Sequence, residues 1–403
     1  MGAKLWTRSY IIVTLINFLI ALNFLFLIFM VSEYAMNILG ASPGEAGFAA
    51  SIFIIGAVIA RLITGIQIGR LGYKYMLWLG LLTGFAATLA YFAVDRLALL
   101  YIVRFFHGAT FGVATTAAAT IVSGLVPDER RGEGIGYFSL SQPLATAVGP
   151  FLVIYLSRHG SYAIIFAFAA IVSGIALLMV PFLSIRNLKY GAEKTKAMAR
   201  INLANLIERK VVPVAFICLL VFLCNSSIVS FLKVYAKEIG LVEAAGFFYV
   251  VYAAVVLITR PFIGRLLDAK GENVIMYPAI MLMAAGMFLV ARSDQGHMLL
   301  LAAVLLAVGV GSIQISTQTI VVKMVPRHRL GVANSSYLMF YDIGHGIGPV
   351  TAGFLIPHIG YRGMYSVMAL ISLSCILFYY FLHGKKAARL AHLPVEVQAR
   401  GES

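Results

Sequence analysis

The chain has 403 residues, of which 61% are apolar and only 12% carry a formal charge. A soluble fold buries at most about three quarters of its surface, so it has no interior for this much apolar material. Soluble, disordered and disulfide-scaffold classes are therefore excluded, and a polytopic helical membrane protein remains. The net charge of +15 is explained by basic residues in short loops, which hold these loops at the cytoplasmic face. Because the charge has this explanation, we predict no nucleic-acid partner.

Twelve apolar runs have the length of a membrane-spanning helix, which needs about 20 residues. These runs cover residues 10–32, 46–68, 75–93, 97–125, 133–156, 162–184, 211–234, 244–267, 273–292, 296–323, 332–356 and 363–383. Most of the 31 lysines and arginines fall in the termini, the even-numbered loops and the central link. The positive-inside rule then predicts cytoplasmic N- and C-termini in a multi-pass protein of the cell (inner) membrane.

One long polar segment divides the chain near its midpoint. Residues 185–210 form this segment, with six predicted spans on each side. We interpret it as a solvated cytoplasmic linker, although its charge pattern also allows a short amphipathic helix on the membrane surface. The predicted organisation is an N-terminal six-helix bundle (1–184), the linker, a C-terminal six-helix bundle (211–383) and a cytoplasmic tail (384–403).

The second half of the chain repeats the first at a fixed offset of 199 residues. The segment VPDERRG at 126–132 returns as VPRHRLG at 325–331. The same offset relates Gly149-Pro150 to Gly348-Pro349, Arg61 to Arg260, Gly65 to Gly264 and Gly72 to Gly271. Matches this far apart at one offset indicate two parallel six-span repeats, a known design of transporters with a substrate site at the midplane.

A glycine-rich, basic segment joins the second and third predicted spans, and its counterpart joins the eighth and ninth. Glycines let helices approach closely and let the chain turn tightly, while basic residues hold the segment at the cytoplasmic face. The inner gate that we predict here contains Gly65, Gly69, Arg70, Gly72, Lys74, Gly264, Asp268 and Gly271, together with Arg130 and Arg329.

With this duplicated segment, the sequence resembles the major facilitator superfamily over essentially its whole length. The resemblance implies an all-α membrane fold of twelve transmembrane helices in two pseudo-symmetric six-helix bundles. In that family an aspartate of the segment faces the N-terminus of a helix from the other half, where an anion is favoured by ~0.3–1 kcal/mol. Asp268 keeps this aspartate in the second half, whereas Gly69 replaces it in the first. The resemblance therefore implies an inner latch at Asp268 and puts the one at Gly69 in question.

The fourth span carries Arg104 and, three residues on, His107. An arginine and a glycine at the spacing of Arg104 and Gly108 resemble the drug:proton antiporter branch of the superfamily, as does Gly149-Pro150 in the fifth span. A charge inside a span costs ~2.5 kcal/mol or more, so it faces a wet cavity or a partner. We list both residues as proton-coupling candidates. The alternatives are that Arg104 reaches to the outer interface and that His107 is a hydrogen-bonded packing residue.

The eleventh span contains Tyr341, Asp342 and His345. At 1.5 Å per residue, Asp342 lies ~16 Å and His345 ~21 Å from the cytoplasmic end, close to the midplane. The two share one helix face and are predicted to couple protons, because one member of such a pair titrates near physiological pH. The alternative is a permanent ion pair that holds helices together.

Neutral polar side chains inside the spans complete the candidate set. In hydrocarbon they need partners, so they face the bundle interior, where they contact either substrate or other helices. The candidates for the substrate cavity are Asn23, Gln142, Asn225, Gln314, Gln318 and Tyr341, with Glu33 at the end of the first span. Glu33 is also interpreted as a solvated surface residue.

These observations predict a secondary active transporter that exports small amphipathic molecules in exchange for protons by alternating access. The exporter assignment is implied by the resemblance, whose branch includes multidrug and metallophore exporters. A facilitator, a proton symporter importing a small metabolite and a metallophore exporter remain alternatives. The sequence has no Gly-x4-Gly-Lys-[Ser/Thr] loop for ATP and no His-Glu-x-x-His motif, so we predict no enzyme. We expect no cofactor and no metal site; the partners are a small-molecule substrate, protons and the lipid bilayer, and the protein is a monomer.

Overall fold

A computed structural model describes residues 4–159, 162–185 and 206–391 of the chain. Within these ranges the chain is helical and contains no strand. The α-helices are α1 (Arg8–Asn37), α2 (Pro43–Leu71), α3 (Tyr73–Ala90), α4 (Leu97–Leu125), α5 (Arg131–Ser139), α6 (Ser141–His159), α7 (Tyr162–Met179), α8 (Val212–Glu238), α9 (Val242–Lys270), α10 (Glu272–Ala291), α11 (Gly296–Lys323), α12 (Leu330–Tyr379) and α13 (Lys385–Ala391).

Local sequence signals explain several of the helix ends. At the start of α2, the backbone N–H of Ser42 donates to the Glu45 carboxylate at 2.8 Å, and the Ser42 hydroxyl accepts from the Glu45 N–H at 3.4 Å. This capping box satisfies two backbone donors that have no partner in the helix. Gly72 (φ 95°) separates α2 from α3, and Gly271 (φ 79°) separates α9 from α10. Only glycine adopts such values without strain, so one residue suffices to end each helix and start the next.

In the described part of the chain, ten helical segments are long and apolar enough to cross a membrane, whereas the sequence predicts twelve spans. One reason for the difference is that α12 combines the predicted spans 332–356 and 363–383. Gly360, with a φ of 67° and a ψ of 178°, interrupts the helical backbone between them. The two predicted spans therefore lie on either side of a sharp turn inside one continuous segment.

The second reason is that the predicted span 133–156 falls on two shorter helices, α5 and α6. Pro143 has no N–H with which to bond the carbonyl of Ser139, four residues earlier, so the helical ladder is broken at this point. α5 ends at Ser139 and α6 begins at Ser141.

The chain forms two compact units. Unit 1 consists of Met1–Asp128, Tyr137–Glu208 and Arg327–Met339. Within it, α2 and α4 are in close contact, because a Cβ atom on Gly108 would lie only 1.9 Å from the carbonyl oxygen of Phe53. Glycine at this position removes the side chain that would otherwise separate the two helices.

Unit 2 consists of Glu129–Gly136, Arg209–Pro326 and Phe340–Ser403. In this unit α11 packs closely on α10, where a Cβ atom on Gly309 would lie 2.8 Å from the carbonyl oxygen of Ala279. Met276 and Met283 of α10 are fully buried beside this contact. Small residues at the crossing and flexible methionines around it fill the interior of the unit.

The predicted domain boundaries stay predictions. Residues 186–205 of the predicted linker and 392–403 of the predicted tail lie outside the described residues. Each unit also includes a short segment from the opposite half of the sequence, namely 129–136 in unit 2 and 327–339 in unit 1. These two segments begin near the repeated Val-Pro loops and carry the contacts described next.

Candidate gate and transport sites

Asp268, at the cytoplasmic end of α9 in the predicted topology, binds the start of α5. Its two carboxylate oxygens accept the backbone N–H groups of Gly132 at 2.8 Å and of Glu133 at 3.0 Å. The first N–H groups of a helix have no partner within the helix and carry a partial positive charge, so a carboxylate stabilises them. This contact lies entirely within unit 2.

Glu133 adds a second acidic group to the same contact. Its carboxylate accepts from Arg130 Nε at 2.7 Å and from Arg265 Nε at 2.9 Å. The backbones of α5 and α9 are in close contact at this point, since a Cβ atom on Gly264 would lie 2.5 Å from the carbonyl oxygen of Gly132. The arrangement is a polar clamp at the start of α5, built on glycine-to-glycine packing. Sequence reasoning singled out Asp268, Gly264 and Arg130 but missed Glu133 and Arg265.

The equivalent contact, between Gly65 of α2 and Gly331 at the start of α12, has similar glycine packing but different polar partners. A Cβ atom on Gly65 would lie 3.2 Å from the carbonyl oxygen of Gly331, and Gly69 provides no carboxylate. Arg329 instead pairs with the carboxylate of Glu208. Lys74 donates from Nζ to backbone carbonyls at the end of the sixth predicted span, at 2.7 Å to Leu183. The side chain of Arg70 is exposed.

Arg104 and His107 meet on a shared tyrosine in unit 1. The Tyr91 hydroxyl lies 3.2 Å from Nδ1 of His107, and it accepts from Arg104 at 3.4 Å. Arg104 is fully buried; its Nε donates to the carbonyl of Ala49 at 3.0 Å, and its guanidinium lies 4.5 Å from the ring centre of Phe53. The buried guanidinium is thus held by hydrogen bonds and by a cation–π contact. Sequence reasoning missed Tyr91.

Asn23 lines a small cavity inside unit 1, together with His107, Thr110 and Ser173. Its side-chain N–H donates to the carbonyl of Ala169 at 2.7 Å. The amide oxygen is buried and has no protein partner. A cavity that contains several polar side chains and an unsatisfied acceptor is suited to hold water.

Two buried arginines occupy equivalent positions of the repeats and bind equivalent partners. Arg61 donates to the Thr115 hydroxyl at 2.8 Å, and Arg260 donates to the side-chain oxygen of Gln314. Both arginines and both acceptors differ by the repeat offset of 199. The sequence offset relates Arg61 to Arg260 and Thr115 to Gln314. It does not show that each arginine binds the acceptor of its own repeat.

Tyr341 and His345 form an aromatic cluster with Phe222 of α8 in unit 2. The ring centre of Phe222 lies 4.2 Å from that of Tyr341 and 4.9 Å from that of His345. The ring centres of Tyr341 and His345 are 4.9 Å apart. Asp342 is half-buried beside them on α12. A carboxylate next to an aromatic surface offers both an acidic group and apolar contact area.

The remaining candidates are distributed over both units. Glu33 is exposed near the end of α1, whereas Gln318 is buried in α11. Gln142 and Asn225 are half-buried in α6 and α8, and the side-chain oxygen of Gln142 has no protein partner. Among the described residues, no group of three or more histidine, cysteine or acidic side chains is arranged to hold a metal ion.

Comparison with known proteins places these features in a family. The family model of the Major Facilitator Superfamily matches residues 13–349 and 279–399. The chain therefore belongs to the Major Facilitator Superfamily, and the prediction made from the duplicated loop is confirmed. It is a multi-pass membrane transporter and not an enzyme.

Individual relatives cover nearly the whole chain. An uncharacterised MFS-type transporter of Methanocaldococcus jannaschii is 24% identical over 372 residues, which is 91% of this chain and 96% of the relative. Multidrug resistance protein 1 of Bacillus subtilis is 24% identical over 364 residues, covering 85% and 88% of the two chains. The crystal structure of the human organic anion transporter MFSD10 matches with a TM-score of 0.76 at 15% identity, over 92% of this chain and 98% of that one. The predicted all-α membrane fold is thereby confirmed.

Proposed function

We propose that this transporter exports small amphipathic molecules from the cytoplasm in exchange for protons, by alternating access. It acts as a monomer in the cell (inner) membrane with both termini in the cytoplasm. The two six-span repeats of the sequence and the excess of basic residues in the predicted cytoplasmic loops support this arrangement.

The position of Asp342 is the observation on which the coupling depends. It is a half-buried carboxylate in α12, adjacent to the cluster of Phe222, Tyr341 and His345. A carboxyl group inside a span is costly unless it has a function, and proton relays are one of the known uses. We therefore propose that Asp342 carries the exchanged proton, with His345 three residues further along α12.

Export of amphipathic molecules is supported by two further points. The relative from Bacillus subtilis is named a multidrug resistance protein and aligns over 85% of this chain. The aromatic cluster beside Asp342 offers the apolar, polarisable contact area that such molecules require.

Transport by the purified protein in liposomes tests the proposal. The amphipathic dye ethidium is supplied outside, and its accumulation is measured with an acidic, a neutral or an alkaline interior. Exchange for protons predicts accumulation only when the interior is acidic. Accumulation driven by an alkaline interior would indicate symport, and equilibration that ignores the gradient would indicate a facilitator; either result contradicts the proposal.

A further inference from the structure

The contact of Gly65 with the start of α12 lacks both carboxylates that clamp the equivalent contact of Gly264 with the start of α5. Asp268 corresponds to Gly69, and Glu133 corresponds to Val332, at the offset of 199. The helical packing is nevertheless similar, because Gly65 approaches Gly331 as Gly264 approaches Gly132. Of the two similar backbone contacts, the one between Gly65 and Gly331 therefore lacks these acidic groups.

Glu208, near the end of the predicted linker, provides a carboxylate at this contact. It pairs with Arg329, which occupies the repeat position of Arg130. The Glu208 side chain is only 7% exposed. Its backbone N–H also donates to the hydroxyl of Ser336 in α12 at 3.0 Å. The residue is thus attached to the start of α12 by its side chain and by its backbone.

Because Glu208 is buried, breaking this ion pair costs more free energy than breaking a surface ion pair. Removing one member of a buried pair leaves the other charge without compensation, which is strongly unfavourable. The same region is held by Asn334, whose side-chain N–H donates to the Ser123 hydroxyl at 3.1 Å. Glu208, Arg329, Ser336, Asn334 and Ser123 all belong to unit 1.

We propose that Glu208 compensates for the acidic groups missing at this contact, so that the end of the predicted linker latches the start of α12 through Arg329. The start of α5 is held by Asp268 of α9 and Glu133 of α5, whereas the start of α12 is held by an acid from the segment that joins the two halves. The proposal does not depend on the substrate or on proton coupling.

Hydrogen–deuterium exchange of the full-length protein in lipid nanodiscs tests this proposal. For Glu208→Gln, we expect exchange of residues 330–336 to become about tenfold faster, with residues 131–136 unchanged. For Asp268→Asn, we expect the reverse pattern. Glu129→Gln is the matched control, because Glu129 is an exposed acid of the neighbouring loop.

A restoring substitution makes the test specific. Gly69 has a helical backbone inside α2, so an aspartate there needs no change of backbone conformation. The double variant Glu208→Gln/Gly69→Asp should bring exchange of residues 330–336 back to within about twofold of the wild type. A lack of restoration would show that Glu208 does not compensate for the missing acidic groups.

Other outcomes would also overturn the proposal. Exchange of residues 330–336 that is unchanged in Glu208→Gln, or that rises equally in residues 131–136, contradicts a local latch. If Glu208→Gln does not fold, Glu208→Asp keeps the charge but shortens the side chain, and it should give an intermediate increase confined to 330–336. Unchanged exchange in that variant would contradict the latch as well. Because no substrate or pH gradient is needed, failure here is distinct from failure of the proposed transport function.

Discussion

Arg327 donates a hydrogen bond to Asp128 at 3.2 Å, and the two residues occupy the same position of the two sequence repeats. Each belongs to a Val-Pro loop, and both side chains are about half exposed. Two residues further along the second loop, Arg329 pairs with the buried Glu208. The second loop therefore takes part in one exposed ion pair and in one with a buried carboxylate, which should differ in their contribution to stability.

We predict that Arg327→Gln changes the free energy of unfolding by less than about 1 kcal/mol, because water and salt screen an exposed pair. Thermal unfolding of the purified protein in detergent, at low and high salt, measures the change. Asp128→Asn should give a similarly small value. A loss of more than about 2 kcal/mol would contradict the view that this pair is weak.

We predict that Gly264→Ala destabilises the protein by roughly 1–3 kcal/mol, because the new methyl group would lie 2.5 Å from the carbonyl oxygen of Gly132. The helices must separate to accept it, which weakens the contact of Asp268 with α5. Thermal unfolding and the transport rate of the variant measure the effect. Gly246→Ala in the same helix is the control, since no heavy atom lies within 4 Å of its added Cβ. Equal effects of the two substitutions would show that the close approach is unimportant.

The sequence predicted the membrane class and the family because both depend on local or repeated signals. Apolar runs of sufficient length define the spans, and the 199-residue offset aligns Asp268 with Gly69. The sequence predicts α5 and α6 as one span, because a count of apolar residues does not show that Pro143 interrupts the backbone hydrogen bonds of the helix.

Partners distant in the sequence could not be predicted in this way. Glu133 and Arg265 are 132 residues apart, and Glu208 and Arg329 are 121 residues apart. Charge and spacing indicate that such residues need partners, but only the packing of helices decides which partners they find. Tyr91 was missed for the same reason, since a tyrosine near the end of a span is ordinary in a membrane protein.

We predict that Gln314→Leu costs roughly 1–3 kcal/mol of stability, because it removes an acceptor from the buried guanidinium of Arg260. The equivalent change in the first repeat, Thr115→Val, should act in the same direction through Arg61. Unfolding of the purified variants in detergent measures both. Thr351→Val, at a half-buried position of α12 whose hydroxyl donates to the exposed carbonyl of Ile347, is the control. Stability equal to the control in both variants would contradict the role of these acceptors.

We predict that Tyr91→Phe destabilises the protein by about 1–2 kcal/mol, since its hydroxyl joins Arg104 and His107 inside unit 1. The ring and its packing are kept, so the loss reports the hydroxyl alone. Tyr101→Phe is the matched control, because the Tyr101 hydroxyl is near the surface and donates to the carbonyl of Glu45 at 3.3 Å. A Tyr91→Phe protein as stable as the control would argue against a hydrogen-bonded group at this site.

The most direct test of proton exchange through Asp342 is the pH inside liposomes when ethidium is added outside. A trapped pH-sensitive dye reports the interior, which starts acidic. The account predicts that wild-type protein makes the interior more alkaline as ethidium enters. Asp342→Asn should abolish the pH change while ethidium still equilibrates, and Glu243→Gln, an exposed acid, should behave as wild type. A pH change in Asp342→Asn equal to that of the wild type, or none in the wild type during ethidium entry, would contradict the account.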